Sequence, residues 1–290
     1  RAGQPSPERK LMRTMKTLIS AAELMTQLQG PHPPRLLDCS FDLADTEAGR
    51  RAWQAAHLPG ALYLHLDDDL SGSKSGSNGR HPLPDRAVLA ATLGRCGIGP
   101  ATPVVTYDAQ GGPYAARAWW LLCWLGHEDV ALLDGGIAAW RSAGGAIETS
   151  VPTPDAAAPY PTHAAATPTL DAAAVRAGLG RLNLIDARAG ERYRGEVEPL
   201  DRAPGHIPGA RNRFFKDNLG PDGRLKSAAA LRNEWQALLA SGDAVHYCGS
   251  GVTACHNLLA VAHAGLGMGT LYPGSWSEWS SDPLRPQAKG

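Results

Sequence analysis

Ala244-Val245-His246-Tyr247-Cys248-Gly249-Ser250-Gly251 decides the fold, because its pattern stands once before in the chain as Pro103-Val104-Val105-Thr106-Tyr107-Asp108-Ala109-Gln110-Gly111. Further matches extend outward from both copies. Around the earlier one stand Arg35-Leu36-Leu37-Asp38, His57-Leu58-Pro59-Gly60-Ala61, Leu132-Leu133-Asp134-Gly135-Gly136 and Trp140. Around the later one, in the same order, stand Asn183-Leu184-Ile185-Asp186, His206-Ile207-Pro208-Gly209-Ala210, Leu271-Tyr272-Pro273-Gly274 and Trp279. Several anchors kept in one order mark an internal duplication, where one His-x-Pro-Gly alone would say little.

Each copy alternates strand-length and helix-length apolar runs. Residues 103–107 and 243–247 are short and bounded by turn residues, whereas 115–125 and 252–264 are long enough for helices and largely apolar. Such alternation predicts an α/β fold, a parallel β-sheet flanked by helices in each copy. A chain of 290 residues suits two such units. Between them, prolines 152, 154, 159, 161 and 168 lie among Ala and Thr without apolar period, which reads as a semi-extended linker. The expected division is an N-terminal unit over 16–141 without the nucleophile, a linker over 142–169, and a C-terminal catalytic unit over 170–284. The polar stretch before Met15 is set aside as a frayed tail or a remnant.

Lys plus Arg and Asp plus Glu both number 28, so no bulk charge points to nucleic acid or an anionic membrane. No apolar run approaches the roughly 20 residues of a membrane span, and no secretory pattern opens the chain, so the expected compartment is the cytoplasm. The five cysteines, Cys39, Cys96, Cys123, Cys248 and Cys255, are odd in number and lack Cys-x-x-Cys spacing. They are expected to be thiols, mostly buried, with neither a disulfide framework nor a metal site. No cofactor is expected.

Cys248 is the candidate nucleophile. It ends a predicted strand, which is where parallel sheets bind ligands, and it is followed by Gly249, Ser250 and Gly251 and then by a helix. Glycines let successive N–H groups turn toward the sulfur, and with the helix N-terminus these stabilise a thiolate. The aligned residue in the first copy is Asp108, which cannot act as a sulfur nucleophile, so one active site per chain follows. A cysteine-phosphatase reading requires arginine six residues beyond the cysteine, and Ala254 stands there. His57 and His206 occur in both copies and are therefore read as turn-stabilising. Trp119, Trp120, Trp124 and Trp140 are read as core.

The Cys248–Ala254 loop, the paired His-Leu/Ile-Pro-Gly-Ala segments and Gly274-Ser275-Trp276-Ser277-Glu278-Trp279 resemble the rhodanese superfamily over nearly the whole chain. Within it, Cys-Gly-Ser-Gly-Val-Thr is similar to the tandem-domain 3-mercaptopyruvate sulfurtransferases; thiosulfate-specific relatives typically carry the cationic Cys-Arg-Lys-Gly-Val-Thr. The resemblance implies two tandem rhodanese-like domains. It also implies transfer of sulfur from 3-mercaptopyruvate through a Cys248 persulfide to a thiol such as thioredoxin or glutathione, or to cyanide. Its implied binding residues are Arg192, Arg202 and, chiefly as structural support, Arg188, together with the loop residues Gly249, Gly251, Val252 and Thr253. Ser250 would work with His81 and Asp67 of the first half. The remaining alternatives are a thiosulfate:cyanide sulfurtransferase, against which the neutral Gly249-Ser250 pair argues, and a non-catalytic binding module, against which the intact cysteine argues.

Overall fold

The computed structural model describes residues 17–162, 165–242 and 244–290. The opening stretch and Asp243, the first residue of the predicted second-half strand, lie outside them. The N-terminal half runs β1 (Leu18–Ile19), α1 (Ala21–Leu28), β2 (Arg35–Asp38), α2 (Ala48–Ala55), β3 (Leu62–Tyr63), α3 (Arg86–Arg95), β4 (Val104–Tyr107), α4 (Pro113–Leu125), β5 (Val130–Leu133) and α5 (Gly136–Ser142). The C-terminal half runs α6 (Ala172–Ala177), β6 (Asn183–Asp186), α7 (Gly190–Arg194), β7 (Arg211–Asn212), a 3₁₀ turn (Phe215–Asn218), α8 (Ala228–Leu239), β8 (Ala244–Tyr247), α9 (Thr253–His263), β9 (Thr270–Leu271) and α10 (Ser275–Trp279).

The strands form two parallel sheets, ordered β1-β5-β4-β2-β3 and β7-β6-β8-β9. The short apolar strands are buried on both faces, as parallel sheets require, and β4, β5, β6 and β8 are buried at every position. In the second half the counterpart of β1 shrinks to a parallel bridge between Thr169 and Leu271. Helices α4 and α9, apolar almost all round, pack against each other between the sheets. One apolar cluster consequently runs through both halves, with Trp119 and Trp120 on one side and Leu258 and Leu259 on the other. The four tryptophans read as core are buried. All five cysteines are free and buried. No helix among the described residues is long and apolar enough to cross a membrane.

The duplication is deeper than its sequence anchors. His57 pairs with Glu148 through two backbone hydrogen bonds of 3.0 Å, and His206 pairs with Ala288 through two of 2.9 Å. Trp140 donates its indole N–H to Ala146 O and Trp279 to Pro286 O, both at 2.8 Å. Each half is thus closed by the segment that trails it. The proline-rich stretch after α5 is extended but tied down, since Ala157 N bonds Gly94 O and Tyr160 N bonds Ala90 O. The His-x-Pro-Gly rings fix the turns beside these closures: one nitrogen of His57 bonds Trp53 O at 2.6 Å and the other Ser150 O of the trailing segment at 3.1 Å, and a nitrogen of His206 bonds Tyr193 O at 2.8 Å.

Three buried histidines set a pH dependence. Burial lowers the pKa of His246 to about 3 and of His256 to about 4, and lowers that of His81 to about 3 against the opposing charge of Asp67. Neither ring nitrogen of His246 has a hydrogen-bond partner among the described residues. Unfolded, an imidazole titrates near 6.5, so the unfolded chain takes up protons that the folded one refuses. Stability is therefore greatest above about pH 6.5 and falls as pH drops toward 4. His246→Leu should remove about one proton's worth of that slope between pH 6 and pH 4 in denaturant unfolding. An unchanged slope would show that His246 is not held neutral.

Candidate active site

Cys248 stands where β8 gives way to the loop before α9, 2% exposed at the base of a cavity of about 370 Å³. Its sulfur receives the N–H of Gly251 at 3.2 Å and that of Ser250 at 3.4 Å. Gly251 has φ +79°, and a Cβ there would lie 2.4 Å from Pro273 O, so the turn admits no side chain. From outside, Trp276 N bonds Cys248 O at 2.9 Å and Ser277 N bonds Gly249 O at 2.8 Å.

In the first half the same loop encloses a carboxylate. Asp108 Oδ1 accepts from Gln110 N at 2.9 Å and Gly112 N at 2.8 Å, and Oδ2 accepts from Tyr114 N and Ala115 N at 3.0 Å. Burial raises the Asp108 pKa, and these four bonds oppose the rise. Gly136, at φ +56°, lies beneath that loop, where a Cβ would stand 2.1 Å from Asp108 O. Its counterpart is Ser275, at φ +55°, the one non-glycine residue with positive φ among those described. Its hydroxyl accepts from Cys248 N at 3.1 Å and donates to Tyr272 O at 3.0 Å. A strained backbone is tolerated there in return for a bond to the Cys248 amide.

Ser250, His81 and Asp67 form a chain across the halves. Ser250 Oγ is 2.7 Å from His81 Nδ1, and His81 Nε2 is 3.5 Å from Asp67 Oδ1. With its pKa lowered to about 3, chiefly by burial, His81 is a neutral imidazole at neutral pH. A proton on Nε2 facing Asp67 leaves Nδ1 to accept from the Ser250 hydroxyl. Lys74 also binds Asp67, at 2.7 Å, from the Gly/Ser-rich segment.

Arginine placement differs from the sequence expectation. Arg192 lines the cavity, held by Glu198 at 2.7 Å and Asp201 at 3.0 Å. Arg188 is spent on Asp186 at 2.6 Å, Glu198 at 3.2 Å and Gly205 O at 2.7 Å, so it fixes the carboxylate that fixes Arg192. The structure does not bring Arg202 to this cavity; it is exposed, bonds Ser281 O at 3.3 Å and faces a neighbouring hollow. Arg80 lines the cavity instead and pairs with Asp201. Nη2 of Arg80 and Nη1 of Arg192 lie 2.8 Å and 3.6 Å from where a Cβ on Gly249 would stand. Burial and the charge of Arg192 both lower the Arg80 pKa, and its Nε is buried without a partner among the described residues. Two guanidiniums converging on one glycine make an anion site. Val252 and Thr253 line the same cavity, as does exposed Lys216. Arg80 and Ser275 were visible as neighbours of His81 and Gly274, but only folding gives them a partner.

Fold and site together define a duplicated parallel-sheet protein in which one half offers a thiol, the other a carboxylate, to the same loop of N–H donors. Residues 20–143 and 171–282 each match the rhodanese-like domain, and the chain belongs to that family. A Pseudomonas aeruginosa protein, provisionally named 3-mercaptopyruvate sulfurtransferase, is 48% identical over 283 residues, covering 94% of this chain and 98% of its own. A Mycobacterium tuberculosis protein, provisionally named thiosulfate sulfurtransferase, is 44% identical, covering 95% of this chain and 98% of its own. The structure of the 3-mercaptopyruvate sulfurtransferase from Leishmania major superposes with TM-score 0.83 at 32% identity, covering 95% of this chain and 76% of that one.

Ser275→Ala should leave Cys248 N buried without an acceptor, a loss of about 1–3 kcal/mol, and slow turnover roughly tenfold. Ser275→Gly should recover stability by relieving the strain, without recovering turnover. Thermal unfolding and kcat, measured together, check this; wild-type turnover in both variants would show that the hydroxyl does not place the sulfur.

Proposed function

We propose that this protein transfers sulfur from 3-mercaptopyruvate through a persulfide on Cys248 to a thiol, such as thioredoxin or glutathione, or to cyanide. The observation that carries the reading is the pairing of an anion fork, Arg80 and Arg192 beside Gly249, with a proton-accepting chain, Ser250 to His81, on the next residue. The donor's carboxylate takes the fork. Ser250 removes the proton of the donor S–H while its own passes to His81, whose imidazolium faces Asp67. The Cys248 thiolate attacks the donor sulfur and the C–S bond breaks. Its electrons leave as the enolate carbon of pyruvate, and the proton returns there. The Cys248 persulfide anion and pyruvate result. An acceptor thiolate then attacks the outer sulfur and restores the Cys248 thiolate.

The first half supports the persulfide. There, two acceptor oxygens satisfy four N–H groups, whereas the lone sulfur of Cys248 receives two. A persulfide supplies the second acceptor atom. In this reading the chain divides into an N-terminal unit over 16–141, a strap over 142–169 and a catalytic unit over 170–284. It works in the cytoplasm, where its thiols stay reduced.

A thiosulfate donor is the second reading. It is favoured by the two guanidiniums, which supply beside the loop the positive charge that Gly249 and Ser250 lack. Initial rates decide: kcat/KM should favour 3-mercaptopyruvate by a wide margin, and equal efficiency with both donors would overturn that choice. Cys248→Ser should abolish transfer in a folded protein, and mass spectrometry of the wild type after donor treatment should find one added sulfur, on Cys248. Arg192→Ala and Arg80→Ala should each lower kcat/KM by about 2 kcal/mol or more, mainly through KM. Arg202→Ala should leave it within a factor of about two.

A further inference from the structure

Arg117, in the second turn of α4, is fully buried in the half that has no nucleophile. Nη1 bonds Gly251 O at 3.1 Å, Nη2 bonds His81 O at 3.2 Å, Leu70 O at 3.3 Å and Pro82 O at 3.4 Å, Nε bonds Leu70 O at 3.4 Å, and the guanidinium also meets the Cys255 thiol. These carbonyls belong to the Cys248 loop, to the segment of His81 and to the chain before the Gly/Ser-rich stretch. No carboxylate pairs with Arg117 among the described residues, although a buried cation requires a counter-charge. The ionisable groups acting on it are the sulfurs of Cys255 and Cys248. Burial pushes the Cys255 thiol up to about 12, and its sulfur lies 3.3 Å from Gly251 O as a donor, so it carries no charge at neutral pH. The Cys248 sulfur is joined to Arg117 through one residue, Gly251, whose O takes Arg117 Nη1 at 3.1 Å and whose N–H meets the sulfur at 3.2 Å.

We infer that Arg117 is the fixed counter-cation of the Cys248 sulfur anion and the brace of its loop, a positioning residue lent by the first half to the site of the second. The symmetry of the molecule supports the assignment. The reciprocal brace, from α9 to the first-half loop, is His256, whose ring lies 3.2 Å from Gly111 O and is held neutral, its pKa lowered to about 4 by burial. The position equivalent to Arg117 is Asn257, also uncharged. The cation stands only on the helix that braces the thiol's loop. The inference rests on Cys248 being the nucleophile but on neither donor nor acceptor.

Alkylation of Cys248 by iodoacetamide at pH 7, located by mass spectrometry, reads this without any sulfur donor, so its failure is separable from failure of the sulfurtransferase reading. Arg117→Met, similar in length but uncharged, should slow alkylation tenfold or more. Arg117→Lys, which keeps the charge but cannot span three segments, should melt lower yet react within about threefold of wild type. A folded Met variant reacting at the wild-type rate, or a Lys variant as slow as Met, would reduce Arg117 to a structural strap and overturn the inference. Should either variant fail to fold, melting temperatures at Cys248 decide. Cys248→Asp, which gives the cation a permanent anion as Asp108 does for the first loop, should melt above Cys248→Ser; a lower melting temperature would reject the counter-charge.

Discussion

A buried hydrogen-bond acceptor held at the carboxyl end of a central parallel strand is the constraint on which the rest depends. With little water to satisfy it, the acceptor must be met by N–H groups of the next loop, which requires backbone turns that only small residues allow. Gly251 turns at φ +79° and Gly111 at φ +88° for this purpose. The residue lying beneath each loop is in turn forced into the left-handed region, at Gly136 and Ser275. The packing of α4 against α9 brings each loop within reach of the other half's helix. Loop, support and interface follow from one buried acceptor placed twice.

Around that centre, charge is balanced in sequence. Asp186 holds Arg188, Arg188 and Arg192 share Glu198, and Arg192 and Arg80 share Asp201. Each carboxylate pins a guanidinium, so the two that reach Gly249 have little rotamer entropy left to lose when an anion binds. The histidine chain works by opposite means. Burial keeps His81 uncharged, and Asp67 orients the ring rather than neutralising it.

The fold was legible because burial on both faces writes itself into short apolar runs, and the duplication doubled every signal. The placement of Cys248, at a strand end inside a loop of N–H donors, was legible for a related reason, because glycines directly after a strand permit such a turn. Arg80 was not, since nothing local distinguishes it from a solvated arginine; its role comes from Asp201, in the other half of the chain. The position of Arg202 outside the Cys248 cavity was not legible, because spacing along a loop says little about which side of a carboxylate network a guanidinium falls on. The neutrality of Gly249-Ser250 likewise described the loop's own side chains and not the arginines standing over it. The closures at Glu148 and Ala288 left no motif because they are made by backbone.

Asp108 gives the spare copy a different history from simple decay. A carboxylate that satisfies its own loop needs no substrate, cannot be oxidised and leaves no cavity to refill, so the first loop is finished at the moment of folding. Its half supplies Arg80 and His81 to the cavity that Cys248 also lines, and Arg117 to the loop around it. Duplication thus sets two versions of one loop side by side: the first is saturated by its own carboxylate, and the second, built around a single sulfur, meets fewer N–H groups with its own side chain.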